Sequence, residues 1–305
     1  MANLTTLIQL TNEMLPAVVS LAQSRSKFDE LKKFIFMGEG PSDSAAIVST
    51  IYRGVPAAAT VSDRAAAISA TRASDAITLT STYTPFRTHA QLTDIELNKL
   101  LNNGELGEYL TNAMVRCYDR IYAAVRTHIT TSDDTVTIPD VNSGTDYLAA
   151  SHSLGDASSY ANLGTAALDT AALQDGVDEM VLEKDWEGTY TNARPSVLVA
   201  SSAQATHAAV LSAYGSSALD RNIGEGMGSV IMPGLGNWWM LSAGPNRQGM
   251  RLDFRSKGGE YDRGGLPWMG MPFEADNGQI LIPFGTDFVV YSPTYLGQWF
   301  SNGTT

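Results

Sequence analysis

The chain has 305 residues, a single cysteine and a formal net charge of -12, long enough for two lobes or one elaborated fold around a substantial core. Charged residues make up 17%, below the roughly 25% of ordinary soluble proteins, so much of the surface must be small and uncharged, which suits wide protein contacts. With six lysines and no basic cluster, nothing here could release counterions from a nucleic acid backbone, and direct nucleic acid binding is disfavoured.

The first ten residues, MANLTTLIQL, carry no positive region, and no apolar stretch approaches a membrane span, so export and insertion are not expected. Leu4, Leu7, Ile8, Leu15, Val18, Val19 and Ala22 recur at helical spacing, with Pro16 expected to break or restart the helix. A short helix is predicted over 28–36, closed by the Gly and Pro cluster MGEGPSD. AAIVSTIYRG and AITLTSTYTPFRT, between Ser44 and Arg87, predict two strands of a long hairpin whose Ala-rich tip cannot form a core of its own. Thr93-Asp94-Ile95-Glu96 has the form of a capping box and starts a helix over 94–101. After Asn102-Asn103-Gly104, the residues Leu106, Leu110, Ala113, Met114, Cys117, Ile121, Val125 and Ile129 hold a 3.6-residue period, the clearest element in the chain. Residues 130–163 are polar and turn-rich, as expected of a surface or interface insert. A helix over 165–183, the strand SVLVA, a helix over 202–213 and the strands NWWMLSA, MRLDFRS, QILIPFG and DFVVYSP complete the order. In NWWML one Trp is expected in the core and its neighbour at a contact surface.

The strand-to-helix junction PSVLVASSAQATHAAVL, 195–211, is where a nucleophile elbow would place a serine. Ser201 and Ser202 lack the flanking glycines of G-x-S-x-G, and His207 lies too close in sequence for the usual order of a triad. Either serine is expected to cap the following helix instead. His89, His128, His152 and His207 are scattered without metal-ligand spacing. Glu183, Asp185 and Glu187 lack the glycine and spacing of a calcium loop and read as a solvated helix end; Asp133-Asp134 reads the same way. Gly224-Glu225-Gly226-Met227-Gly228 has no following lysine and reads as a loop, not a phosphate cradle. No catalytic, cofactor or metal residues are expected. Cys117 permits no intrachain disulfide, and a reducing cytoplasm is the simplest origin.

The succession of arm, ribbon, long helix, α/β lobe and closing strands resembles the major capsid proteins of tailed bacteriophages, of the Hong Kong ninety-seven type. The block AALDTAALQDGVDEMVLEKDWEGTYTNARPSVLVASSAQATHAAVLSAY, 166–214, together with HSLGDASSYANLG and VIMPGLGNWWMLSAG, looks most like the Mu-like major head subunits. The resemblance implies an α+β capsid fold: an N-terminal arm over 1–40, an extended loop over 41–92, a peripheral domain over 93–135 and 275–305 with its spine helix at 105–129, and an axial domain over 136–274. It implies a non-enzymatic subunit that assembles as pentamers and hexamers into an icosahedral or prolate shell enclosing double-stranded DNA, which it would not bind specifically. The implied partners are further copies, a separate scaffold protein, a portal and a decoration protein. The implied location is the virion, assembled in the host bacterial cytoplasm. One family member welds its shell through an extended-loop lysine, but no lysine occurs between Lys33 and Lys99, so a non-covalent shell is expected. The arm and ribbon are expected to bury their apolar faces only on neighbouring copies. A nanocompartment shell shares the fold and is the alternative; a serine hydrolase using Ser201 or Ser202 with His207 is a distant third.

Overall fold

The computed structural model describes residues 4–52, 76–135, 137–138, 145–146, 148–154, 158–185, 188, 190–191, 193–204, 227–233, 235–242, 250–258, 264–292 and 296–301. In chain order these form α1 (Leu4–Arg25), α2 (Phe28–Leu31), β1 (Phe36–Gly40), β2 (Ala46–Tyr52), β3 (Ala76–Thr82), β4 (Thr84–Leu92), α3 (Asp94–Asn103) and α4 (Leu106–Thr135). There follow β5 (Thr137–Ile138), β6 (Thr145–Asp146), β7 (His152–Ser153), β8 (Ser159–Tyr160), β9 (Leu163–Gly164), α5 (Thr170–Val181), β10 (Pro195–Ala200), β11 (Gly228–Ile231) and β12 (Trp238–Ser242). The last are β13 (Arg251–Arg255), β14 (Trp268–Met269), β15 (Phe273–Glu274), β16 (Ile280–Tyr291) and β17 (Gln298–Ser301). The chain divides into two compact units, one of residues 1–47, 81–125 and 252–290, the other of 48–80, 126–251 and 291–305.

In the first unit, β16 is the axis of a six-stranded sheet ordered β1-β13-β16-β14, with β15 and β4 also pairing with β16. The antiparallel register runs from Thr84 opposite Phe288 to Leu92 opposite Ile280. QILIPFG and DFVVYSP, expected as two strands, are therefore one. Pro283 does not break it, because it stands opposite His89 and turns its carbonyl away from β4 to accept from Gly270 N at 2.7 Å. A proline in that position withholds no hydrogen bond from β4. Phe36–Gly40, read as the end of a helix and a turn, is strand β1, and the predicted 28–36 helix shrinks to α2.

The predicted stripe on α4 is buried: Leu106, Leu110, Met114, Cys117, Ile121 and Val125 are all at most 3% exposed. Each such side chain contributes about 2 kcal/mol by leaving water. Phe28 packs on Tyr118 (ring centroids 5.0 Å apart) and on Phe254 of β13 (6.3 Å). The capping box forms as expected: Glu96 N donates to Thr93 Oγ1 at 3.3 Å and Thr93 N to Glu96 Oε2 at 2.8 Å. Gly104 ends α3 with φ 73°, a left-handed cap that side chains resist.

The N-terminal arm departs from expectation twice. Helix α1 runs unbroken through Pro16, held by Leu7, Thr11, Val18 and Ala22, which are buried at helical spacing on both sides of it. Packing outweighs the one missing hydrogen bond. Nor is the arm without a partner on its own chain, since Met14 reaches Gly107 and Arg25 pairs with Glu108 at 2.6 Å.

In the second unit a five-stranded sheet, ordered β11-β10-β12-β17-β9, carries α5 on one face. Leu198, Ala200, Trp238, Met240 and Trp299 form a core with Leu173, Val177 and Met180 of α5, and the Trp238 and Trp299 rings lie 4.8 Å apart. The alternate residues are buried too: Trp239 is 0% exposed and meets Phe300 at 4.9 Å. Both tryptophans are thus core, contrary to the expectation that one would face a contact surface. Helix α5 starts at Thr170, capped by the Asp169 carboxylate accepting from Ala172 N at 2.8 Å. Just upstream, residues 163–164 pair with β17 as a short strand.

Candidate assembly interface

Ser201 is 4% exposed, and both its N–H and its hydroxyl donate to Gln204 Oε1, at 3.4 and 3.2 Å. A glutamine thus reaches back to close the turn, and 202–204 form a single tight turn. His207, the rest of the expected 202–213 helix and Gly224–Gly226 lie outside the described residues; Gly228 begins β11.

A serine and a histidine do meet elsewhere: His128 Nε2 stands 3.1 Å from Ser292 Oγ. Burial lowers the His128 pKa to about 4, so the ring is neutral. Ser292 is 0% exposed, which leaves no room for a substrate and makes the pair a tie within the second unit. The two residues lie 164 apart, so no spacing could have announced it. His152, also buried, bonds Asn162 Oδ1 at 2.8 Å and stacks on Tyr160, while Asn162 also takes Ala149 N. Within the insert over 130–163, expected at a surface or an interface, Leu148, His152, Leu154, Tyr160 and Asn162 are buried. His89 is exposed on β4. Among the described residues no group of three His, Cys, Asp or Glu could hold a metal ion, and no helix is long and apolar enough to cross a membrane.

Glu183 corrects the reading of its acidic run as a solvated helix end. It is 1% exposed, just past α5, where Oε1 accepts from Thr191 Oγ1 and Oε2 from Gly297 N, both at 2.5 Å. Burial, only partly offset by these two donors, raises its pKa to about 7. The carboxyl joins the end of α5, Thr191 and the residue before β17. Burial likewise pushes the Cys117 thiol up to about 12, far from a reactive thiolate.

The described surface includes an exposed ribbon. The ribbon β2/β3 is a two-stranded sheet of its own, with Val48 60% exposed. Its root is fixed in the first unit: Tyr83 N donates to Ala45 O at 3.0 Å, Ser256 N to Gly40 O at 3.0 Å and Arg255 Nη1 to Ser42 O at 3.2 Å. Gly40 has no room for a side chain, since a Cβ there would meet the Tyr83 hydroxyl and Ile47. In the same unit, Asp287 is gripped by Arg87 in bidentate fashion, at 2.6 and 2.9 Å, and by Arg255 at 3.3 Å. Arg87 also lies over the Trp268 ring at 5.4 Å. Leu266, Met271 and Phe273 are half-exposed nearby in sequence.

These features, a rooted two-stranded ribbon, a long helix with a six-stranded sheet and a second α/β unit, define the Hong Kong ninety-seven type of capsid fold, and the chain has that α+β fold. No family model matches the chain, and no curated protein matches it. Among solved structures, a virus-like particle from Pyrococcus furiosus superposes with a TM-score of 0.56 over 95% of this chain and 98% of that one, at 8% identity. The capsid of Myoviridae phage XM1 gives a TM-score of 0.51 over 90% of each chain, at 12% identity. The holo-SrpI encapsulin complex from Synechococcus elongatus PCC 7942 gives 0.50 over 90% of this chain and 87% of that one, at 10% identity.

Proposed function

We propose that this chain is the major capsid protein of a tailed bacteriophage, assembling as pentamers and hexamers into an icosahedral or prolate shell around double-stranded DNA. The observation that carries the reading is the superposition of nearly the whole chain on shell-forming subunits, joined to a two-stranded ribbon with a firmly bonded root. In this reading the first unit is the peripheral domain with α4 as its spine. The second supplies the axial domain, and β2/β3 is the extended loop. In this reading residues 252–274, grouped with the axial domain on sequence, go with the peripheral domain, which the pairing of β13, β14 and β15 in the sheet built on β16 supports. The Mu-like grouping rests on the 166–214 block. The protein is structural, without catalytic residues, and works in the virion with a separate scaffold, a portal and decoration proteins after assembly in the host cytoplasm. Excess acidic charge suits a wall past which packaged DNA slides.

The encapsulin match supports a second reading, a nanocompartment shell. Expression of the chain alone and with its neighbouring genes, followed by electron microscopy and extraction of the contents, separates the two. DNA-filled or scaffold-dependent heads support the first, closed shells around a protein cargo the second. A dispersed monomer at high concentration refutes both.

A further inference from the structure

Strand β4 is an edge strand nine residues long, paired along one side to β16 and to no other strand among the described residues. Its outward side can be read from the register. His89 faces Pro283, which has no N–H to give and whose carbonyl is spent on Gly270. The pair is therefore an unbonded one, and the N–H and C=O of His89, with those of Arg87 and Gln91 two residues either way, point to the open edge. Tyr109 of α4 agrees with that direction by donating its hydroxyl to Gln91 O at 3.3 Å. Native proteins blunt such edges with lysines, prolines or bulges. Strand β4 has no lysine, one proline at its second position and an unbroken register with β16.

Beside the edge lies a cleft of about 110 Å³ between β4 and α4, lined by Thr88, His89, Ala90, Tyr109, Asn112 and Arg116 among others. Arg116 is exposed and has no ion pair or hydrogen bond among the described residues. Glu108, two turns earlier on the same helix, is already committed to Arg25 at 2.6 Å. The cleft is thus left cationic on a chain with 32 acidic and 20 basic residues.

We propose that the β4 edge and this cleft form a self-association site, which takes an extended acidic segment of a second copy of the chain as an added strand and pairs its carboxylate with Arg116. The backbone row supplies affinity, and the arginine fixes register and direction. A second copy is the occupant because the surplus of carboxylates makes the chain's own segments complementary to the cleft. The proposal rests on the shell reading.

The test uses the full-length protein. Amide exchange at His89 and Gln91 is measured before and after assembly, and the threshold concentration for assembly is read by light scattering for wild type, Arg116→Glu and His89→Pro. The proline variant loses an N–H that the fold itself does not use. Protection of both amides on assembly, with thresholds raised about tenfold or more in both variants, is the expected result. Assembly that leaves both amides exchanging as fast as before overturns the site while sparing the shell reading, and so do folded variants with wild-type thresholds. If a variant fails to fold, the wild-type exchange measurement decides. A wild-type chain that never assembles overturns both.

Discussion

Replacing Glu183 by glutamine should make the chain more stable at pH 8 and leave it nearly unchanged at pH 4. In the fold the carboxyl is buried, and its pKa rises from 4.5 to about 7. In the unfolded chain it ionises at the ordinary value. Below about pH 4.5 both states hold the proton and nothing is lost. Between there and pH 7 the unfolded chain gives up its proton while the folded one keeps it, so stability falls as pH rises through the folded pKa. The whole loss is about 3 kcal/mol. A glutamine side chain would keep an acceptor for Gly297 N and present an amide donor to Thr191 Oγ1, matching the protonated acid without its titration. Urea unfolding of unassembled protein from pH 4 to pH 8, followed by tryptophan fluorescence, measures this directly. The variant should gain about 1–3 kcal/mol over wild type at pH 8, with the difference vanishing at pH 4. Two parallel stability curves across that range would refute the reasoning, because every other titrating group is common to both proteins.

Asp287→Asn should cost about 2 kcal/mol. The carboxylate is buried between two arginines, but Arg87 is half-exposed, and water absorbs part of the loss; chemical denaturation checks this. Thr93→Ala removes the capping box and should cost about 1 kcal/mol, read from the thermal midpoint. Assembled particles on a reducing denaturing gel should run as one band at 32.6 kDa, because no lysine stands in the 41–92 segment and Cys117 is sealed in the core. A ladder of multiples would contradict that expectation.

Local patterns were readable where partners lie within one or two turns of each other. The stripe from Leu106 to Val125 and the Thr93–Glu96 box are set by spacings of three and four residues, and both stand where the sequence puts them. Helix α4 runs on to Thr135, past the expected end at 129, because polar residues give no stop signal without a Gly or Pro. Long-range partners were not readable. Glu183 looks like a solvated acid until Gly297 closes on it, 114 residues away. One of the two tryptophans of NWWML reads as contact surface, yet Phe300 covers Trp239 and both are buried. Pro16 looks like a break because a proline's local cost is visible in sequence while the packing around α1 is not, and the pairing with β4 that joins QILIPFG and DFVVYSP into one strand is equally invisible there. The β4 edge was hidden inside what read as ribbon, since both segments are rich in Thr and differ only in what pairs with them.

The pairing of β4 with β16 has a further effect on the sheet around it. If β4 slid one residue along β16, its backbone would have to turn over to keep its hydrogen bonds, carrying the buried Ala90 and Leu92 to the opposite face. Slippage by a single step is therefore forbidden, and slippage by two would tear Asp287 from Arg87. Buried side chains and the ion pair together act as a key cut for one lock position, so strain reaching this sheet must bend it or pull it apart rather than let its strands creep.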